Sequence, residues 1–305
     1  MPRFDRLVIV GPGAMGCLHA ALMAEAGLHA SLLDYNAERS WYLSQNGITL
    51  SFADGSSRKV SVHCTAQPTE MEPAELVIIS VKAHATEAAI KWAAPVINAQ
   101  TCVLTLQNGL GNYELLQQHV APKQVLAGTT ASGATMVGPG TIRVAAIGET
   151  ILGSPTGDKA RATDAAGCFS EADLPVQVTT DVDTALWRKL VLNAAINPLG
   201  ALSLRRNGEL VEHPPLRKLL GKVAREAHQA ALAVGIDLND LDPVAAVEEV
   251  CRQTATNQCS MLQDILAGRQ TEIKQINGEL VRRAKEKKAR VPLNEALVAL
   301  VEAIR

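Results

Sequence analysis

Aromatic side chains are scarce in this chain of 305 residues, in which Phe, Trp and Tyr together account for 3%. Because 47% of the residues are still hydrophobic, the core is predicted to consist mainly of Ala, Leu, Val and Ile. No apolar run reaches the roughly 18 residues that a membrane-spanning helix needs. The net charge of −2 provides no general attraction to nucleic acid or to an anionic membrane, so we expect neither as a partner.

The six cysteines form no pattern that indicates a metal site or a disulfide framework. They include no C-x-x-C pair and no cluster with histidine, which argues against bound zinc. We therefore predict packed, reduced thiols, a cytoplasmic protein and no metal. Because the first predicted strand begins within a few residues of the start, we expect no signal peptide.

The pattern of the sequence changes near residue 180. Up to that point short β-rich runs alternate with helical patterns, which is typical of a doubly wound α/β domain. The predicted strands are Leu7–Val10, Ala30–Leu33, Leu76–Val81, Thr101–Leu106, Val125–Thr130 and Val176–Thr179. Two further runs, Ile142–Ala145 and Thr150–Leu152, are predicted to form an antiparallel addition at the edge of the sheet.

From residue 181 onward apolar residues recur every three or four positions, which predicts an all-α domain. Asp242 followed by Pro243 indicates a helix start. Another helix is predicted from near Met261 past Glu272, with Gly268 as a place where the chain can bend. The prediction is a Rossmann-type dinucleotide-binding domain over 1–180 and a helical substrate-binding and catalytic domain over 181–305. The oligomeric state stays open, because the apolar helix faces can pack within one chain or in a homodimer.

The strongest motif follows the first predicted strand, where glycines stand at positions 11, 13 and 16. In this G-x-G-x-x-G pattern Gly11 permits a sharp turn, Gly13 lets a pyrophosphate approach the backbone, and Gly16 lets the helix lie close to the strand. Asp34 ends the second strand about 20 residues further on, where an acidic residue binds the adenosine ribose. The alternative is a glycine-rich turn without a ligand, but the strand, glycines, helix and acid together favour nucleotide binding.

Two polar segments follow later strands, at the sheet edge where open α/β folds bind ligands. Lys82 can reach a phosphate or ribose oxygen, and Asn108 can bond to the nicotinamide ribose or to a substrate carboxylate. The alternatives are an ordinary surface lysine at a helix start and a plain Asn-Gly turn.

The densest group of polar residues lies in an otherwise apolar helical segment. Lys189, Asn193 and Asn197 are spaced by four, so they line one helix face over about 12 Å. Burial pushes the pKa of a lysine down, and such a lysine can donate a proton to a developing alkoxide. The alternative is that the asparagines brace a domain interface while the lysine extends to water. Ser260 and Glu272 lie further along the chain, and without other information they are exposed helix residues.

At these residues the chain resembles the ketopantoate reductase family over nearly its whole length. The resemblance rests on segments that occur in order along both halves: the glycine loop, Val81-Lys82-Ala83, Asn108-Gly109, Leu186–Lys189 with Asn193 and Asn197-Pro198, Asn207–Leu210, Ser260–Asp264 and Thr271–Gly278. It implies a Rossmann domain, a helical domain and a site in the cleft between them. It also implies reduction of 2-dehydropantoate to (R)-pantoate with NADPH, in pantothenate and coenzyme A synthesis.

The resemblance also implies roles for particular residues. Lys189 is the implied proton donor, and Glu272 contacts the cofactor and assists the chemistry. Substrate binding is implied for Asn193, Asn197, Asn207 and Ser260. Cofactor contacts are implied for Gly11, Pro12, Gly13, Ala14, Met15, Gly16, Lys82, Asn108, Ala134 and Glu272.

One position departs from an NADPH-dependent pattern. A basic residue after the second strand would pair with the 2′-phosphate, whereas Asp34 would repel it, which favours NADH. Arg39 can reach round to a phosphate if Asp34 points away. NADPH is therefore the cofactor that the resemblance implies, and NADH stays open because of Asp34.

Two other functions remain as alternatives. The first is a related enzyme, either a reductase of another 2-oxo acid or a β-hydroxy-acid dehydrogenase, and a substrate panel with both cofactors separates these. The second is a nicotinamide-sensing binding protein, for which tight cofactor binding without turnover would be the sign.

Overall fold

The computed structural model describes residues 4–304, which form two compact units. The first, here called the α/β unit, comprises the chain up to Gln107 together with Asn112–Val182. The second, called the helical unit, comprises Asn108–Gly111 and the chain from Asp183 onward. The four residues 108–111 therefore leave the α/β unit and belong to the helical unit.

Within residues 4–304 all the strands lie in the α/β unit. They are β1 Arg6–Val10, β2 His29–Leu33, β3 Ile48–Ser51, β4 Ser57–Val60, β5 His63–Thr65, β6 Leu76–Ile79, β7 Cys102–Thr105, β8 Val125–Thr130, β9 Gly133–Gly138, β10 Thr141–Ala146, β11 Thr150–Gly153 and β12 Val176–Val178. Eight of them form the main sheet in the order β12-β11-β8-β7-β6-β1-β2-β5. Its pairs are parallel except β11 with β8, and Val8 of β1 lies between Ser31 and Val77. Strands β6 and β7 are buried at every position, as expected where helices cover both faces.

A second, four-stranded sheet has the order β4-β3-β10-β9 and was not predicted from the sequence. The prediction for Ile142–Ala145 was wrong, because β10 pairs with β9 and β3 in this sheet rather than at the edge of the main one. Thr150–Leu152 does join the main sheet, antiparallel to β8. Strands β3 and β4 escape sequence reasoning because each has four residues, and β4 is exposed at three of them.

The helices divide between the two units. Those of the α/β unit are α1 Ala14–Glu25, α2 Ala37–Asn46, α3 Thr86–Trp92, α4 Asn112–Leu116 and α5 Lys159–Glu171. Those of the helical unit are α6 Val182–Ser203, α7 Asn207–Glu212, α8 Pro214–Ala233, α9 Pro243–Gln253, α10 Ser260–Leu266, α11 Glu279–Glu286 and α12 Pro292–Glu302. Within the helical unit α8 contacts α7, α9, α11 and α12. The Rossmann-type α/β fold followed by helices is confirmed, as is the cap of α9 by Asp242, which accepts from the Val244 and Ala245 amides.

The predicted helix from Met261 past Glu272 is not continuous. Helix α10 ends at Leu266, and Gly268 follows with φ +63°, a conformation that a side chain disfavours. The Arg269 amide bonds to the Asp264 carbonyl and its side chain to the Asp264 carboxylate, which closes the turn. A π-helical turn, Lys274–Gly278, comes next and leads into α11. Ser260 and Glu272 therefore lie on separate elements.

The six cysteines are free and buried, as predicted. Burial raises the pKa of the Cys17 thiol to about 12, so this thiol stays protonated at neutral pH. Within residues 4–304 every helix is too short or too polar to cross a bilayer.

A buried histidine makes the stability of the α/β unit sensitive to acid. His19 of α1 packs edge-on against Phe169, and neither ring nitrogen has a hydrogen-bond partner among the described residues. Burial lowers the pKa of His19 from 6.5 to about 4. Between these values the unfolded chain binds the proton and the folded chain does not, so stability is lost as the pH falls below 6.5.

The unfolding free energy of the wild type should fall between pH 8 and pH 5. We expect the fall to be about 2 kcal/mol smaller in His19→Leu. Urea unfolding of the wild type and the variant at both pH values measures this. His29→Gln is the matched control, since that histidine is exposed at the start of β2. Equal pH dependence in the wild type and His19→Leu would contradict the assignment.

Candidate active site

Close packing in the turn after β1 explains why two of its three glycines cannot carry a side chain. Gly11 has φ +100°, and a Cβ there would lie 2.5 Å from the Val81 side chain. A Cβ at Gly16 would overlap the Gly11 carbonyl oxygen. Both positions exclude a side chain because strand, turn and helix lie so close together.

Gly13 has no such explanation within the protein. Its φ of −72° suits any residue, and a Cβ would meet nothing nearer than the Ser80 carbonyl oxygen at 3.9 Å. Helix α1 begins at the next residue with no side-chain cap and no acidic residue in its first turn. Open space beside free helix N–H groups is what a dinucleotide pyrophosphate requires. The residues of this turn, including Pro12, Ala14 and Met15, therefore fit such a cofactor.

The loop after β6 carries Lys82 and is held by a residue that sequence reasoning missed. The Gln107 side-chain amide donates to the Val81 carbonyl at 2.7 Å and to the Thr86 hydroxyl at 2.9 Å. Lys82 stands between these two anchors and is half-buried at the start of a short 3₁₀ turn. Gln107 had a usable signal, because it follows a buried strand by two residues, at the ligand-binding edge of the sheet.

At the end of β2 the structure presents a guanidinium group rather than a carboxylate. Both Asp34 carboxylate oxygens accept from Arg39, one from Nε and the other from Nη2 at 2.6 Å. The Asp34 side chain is 1% exposed, whereas that of Arg39 is 46% exposed and lies over the Tyr35 ring. The bond to Asp34 raises the pKa of Arg39 above its ordinary value. Asp34 thus holds Arg39 in place at the strand tip.

The lysine and asparagine stripe lies on α6 as its spacing predicted. Lys189 and Asn193 are half-buried and Asn197 is buried. Desolvation lowers the pKa of Lys189 to about 8, while the Glu272 carboxylate opposes this shift. Lys189 is therefore protonated at neutral pH but releases its proton far more readily than a surface lysine.

The structure brings other predicted residues to the same unit. Glu272 is buried, and its carbonyl accepts from the Gln275 and Ile276 amides at the start of the π-helical turn. The Asn108–Gly111 segment packs on this turn, since the Leu110 amide donates to the Gln275 carbonyl at 2.9 Å. A Cβ at Gly109 would overlap that carbonyl. Asn108 is thereby held close to the segment that carries Glu272.

Helix α10 is joined to α6 through Cys259. The Cys259 thiol donates to the Asn197 carbonyl at 3.4 Å, which places Ser260, the next residue, beside the end of the polar stripe. Asn207 begins α7, and its side-chain amide donates to the Thr254 hydroxyl at 2.8 Å. Its Oδ1 atom is buried without a hydrogen-bond partner among the described residues.

Ala134 is a residue of the α/β unit. It belongs to β9 and packs against the core around α1. Its position is therefore on the second sheet, near the helix that starts at the glycine loop.

A glycine turn shaped for a pyrophosphate and a helix-borne lysine with a lowered pKa define a dinucleotide-dependent oxidoreductase. The chain matches the family model described as ketopantoate reductase PanE/ApbA over residues 7–157, and the model of its C-terminal part over 181–305. The chain belongs to the ketopantoate reductase family.

Curated relatives agree with this assignment. The chain is 34% identical over 297 residues to the 2-dehydropantoate 2-reductase of Halobacterium salinarum, covering 97% of each chain. It is 33% identical to the enzyme of that name from Archaeoglobus fulgidus, covering 99% of this chain and 98% of the relative.

Solved structures show the same fold. The 2-dehydropantoate 2-reductase of Geobacter metallireducens matches with a TM-score of 0.91 and 27% identity, covering 97% of this chain and 99% of that one. A D-mandelate dehydrogenase, in a ternary structure with NADH and anilino(oxo)acetate, matches with a TM-score of 0.92 and 25% identity over 97% of each chain. The fold is thus shared by enzymes that act on different acids.

Proposed function

We propose that the protein reduces 2-dehydropantoate to (R)-pantoate in pantothenate synthesis, with a reduced nicotinamide dinucleotide as cofactor. The observation that carries this is Lys189, a helix-borne proton donor whose pKa is lowered to about 8 beside Glu272. The full-length relatives named 2-dehydropantoate 2-reductase support the choice of substrate. We assign cofactor binding to the domain over 1–180 and catalysis to that over 181–305.

Each residue of the proposed site has a chemical role. The reduced nicotinamide supplies a hydride when bound. Lys189 donates its proton to the C2 carbonyl oxygen as negative charge develops there. Glu272 stabilises the protonated ammonium before transfer, while Asn193, Asn197 and Ser260 orient the substrate. The glycine turn, Lys82, Asn108 and Ala134 hold the cofactor.

Asn207 supports a substrate that carries a hydroxyl group. Its Nδ2 donates to Thr254, which leaves Oδ1 as a buried acceptor without a donor in the part of the chain that the structure describes. Such an acceptor suits the C4 hydroxyl of 2-dehydropantoate and repels a carboxylate. A hydroxyl donor would remove the cost of this unsatisfied atom, about 1–3 kcal/mol.

A substrate panel tests the proposal. We expect kcat/KM for 2-dehydropantoate to exceed that for the analogue with a methyl group in place of the hydroxymethyl group by about tenfold or more. An aromatic 2-oxo acid serves as the substrate of the alternative enzyme. Faster reduction of the aromatic acid would overturn the proposed substrate, and cofactor binding without any turnover would overturn the enzyme.

The reductive kcat/KM should depend on pH through Lys189. Because the protonated form is required, activity should be half-maximal near pH 8 and should approach a tenfold fall per pH unit well above it. Glu272→Gln removes the charge that raises the lysine pKa, so the falling limb should move to lower pH. Initial rates from pH 6 to 10 measure this, with the exposed Glu249→Gln of α9 as control. If the falling limb of the pH profile lies at the same pH in Glu272→Gln as in the wild type, the interaction of Glu272 with Lys189 is contradicted.

For the finer choice of cofactor we propose NADPH. Arg39 is an exposed cation near the tip of β2, and it suits a 2′-phosphate. The buried Asp34 is occupied in holding that arginine, so its presence does not oppose NADPH. The structurally similar D-mandelate dehydrogenase was solved with NADH, so NADH stays as the second candidate.

A further inference from the structure

Helix α6 contains a proline in its interior. The residue four positions before it, Ala194, lies in the middle of the polar stripe. In a regular helix the Ala194 carbonyl would accept from the amide of residue 198. That residue is Pro198, which has no N–H group. The helix therefore lacks the regular backbone donor for the Ala194 carbonyl.

The missing donor comes from the segment that carries Glu272. The Asn277 Nδ2 atom donates to the Ala194 carbonyl at 2.9 Å, across 83 residues of sequence. Asn277 is fully buried in the π-helical turn, five residues after Glu272, and Ala194 is five residues after Lys189. The Asn277 side-chain amide thus connects helix α6, which carries Lys189, to the segment that carries Glu272.

Two further residues fix the orientation of this amide. Asn277 Nδ2 also donates to Asn294 Oδ1 at 2.9 Å, and Asn294 Nδ2 donates to the Glu226 carboxylate at 3.1 Å. Glu226 accepts the Leu293 and Asn294 backbone amides as well, at 3.0 to 3.1 Å. Because a carboxylate can only accept, it sets the direction of both asparagine amides. Asn277 therefore presents its donor to Ala194, and its own Oδ1 is left buried without a described partner.

We propose that Asn277 is a positioning residue for the proton donor: by bonding to the carbonyl that Pro198 leaves free, it holds the Glu272 segment against the Lys189 helix. This rests on the proposed function for its kinetic consequence. Glu272 is the charged group that acts on Lys189, so a loosened Glu272 segment alters the proton affinity of the lysine. A displacement of about 1 Å in such a site can lower kcat by about 10²-fold.

The proline permits a test that separates positioning from folding. Asn277→Ala leaves the Ala194 carbonyl buried without a donor, which should lower both stability and kcat, the latter at least about tenfold. The double variant Pro198→Ala/Asn277→Ala restores an N–H at residue 198, so the helix satisfies the carbonyl itself and stability recovers. We expect kcat to remain low in the double variant, because the tie to the Glu272 segment is still missing. Pro198→Ala alone completes the cycle.

A readout without substrate keeps this test independent of the proposed reaction. The pH dependence of Lys189 acetylation by acetic anhydride, followed by peptide mass spectrometry, measures the proton affinity of the lysine directly. We expect the pH midpoint of acetylation to be lower in Asn277→Ala and in the double variant than in the wild type. Glu272→Gln should shift it in the same direction. The proposal is overturned if the pH midpoint of acetylation in Asn277→Ala equals that of the wild type. It is also overturned if kcat and this midpoint return to the wild-type values together with stability in the double variant. Failure of the wild type to reduce 2-dehydropantoate would leave the labelling result intact and refute only the substrate.

Discussion

Replacing Lys189 with alanine is expected to lower kcat for 2-dehydropantoate by between about 10² and 10⁴-fold, the range typical of general acid catalysis. The reason is that Lys189 is the group on α6 whose pKa, about 8, allows transfer of a proton near neutral pH. Binding of the cofactor should change little, because Lys189 is assigned to proton donation and not to a cofactor contact. Steady-state kinetics and a cofactor-binding titration measure the two effects.

Two control variants sharpen the result for Lys189. Lys189→Arg keeps the positive charge, but a guanidinium group holds its proton far more tightly than a lysine does, so kcat should stay low if proton donation is the role. Lys222→Ala removes an exposed lysine of α8 and should leave kcat near the wild-type value. If Lys189→Arg restored full activity, the lysine would act only as a charge, and the assignment of the acid would be wrong.

Replacing Arg39 with glutamine should lower kcat/KM for NADPH by about ten- to a hundredfold, because a charge-assisted bond to the 2′-phosphate contributes roughly 1.5–3 kcal/mol. The value for NADH should change little. Asp34→Asn should have a smaller effect in the same direction, since it weakens the ion pair that orients Arg39. Kinetics with both cofactors on the wild type and both variants measure the preference.

Arg58 offers a matched control for Arg39. It too pairs with a carboxylate, that of Glu25 at 2.9 Å, and lies over an aromatic ring, that of Phe52. It stands on β4 rather than at the tip of β2, so Arg58→Gln should leave the ratio of the two cofactors unchanged. A wild type that favours NADH, or an unchanged ratio in Arg39→Gln, would contradict the proposed phosphate contact.

Much of the fold could be predicted because its signals are local. The buried strands β1, β2, β6 and β7 appear as short apolar runs, and the helices of the second half as three- and four-residue spacing. The second sheet was missed because β3 and β4 have only four residues each, and β4 is exposed at three of them. Strand β10 was recognised but assigned to the main sheet, because a strand run does not show which strands it pairs with. The sequence indicated Gly268 as a place where the chain can bend between Ser260 and Glu272. It could not show that the helix ends there, because both flanking segments have helical spacing.

The candidate site was predictable to the extent that its residues share one element. Lys189, Asn193 and Asn197 lie on α6, so their common face follows from helical geometry. Spacing could not show that Glu272 acts on Lys189 or that Cys259 brings Ser260 to α6, because these contacts join separate elements.

The sequence by itself determined the glycine turn, the order of α/β and helical parts, and the lysine stripe, because each depends on residues within a few turns or strands of one another. Only the tertiary structure decided what stands at the tip of β2. There Arg39, in the first turn of α2, binds the buried carboxylate of Asp34. Only the tertiary structure joined Pro198 to Asn277, since the proline removes a donor and the fold alone determines which distant side chain replaces it.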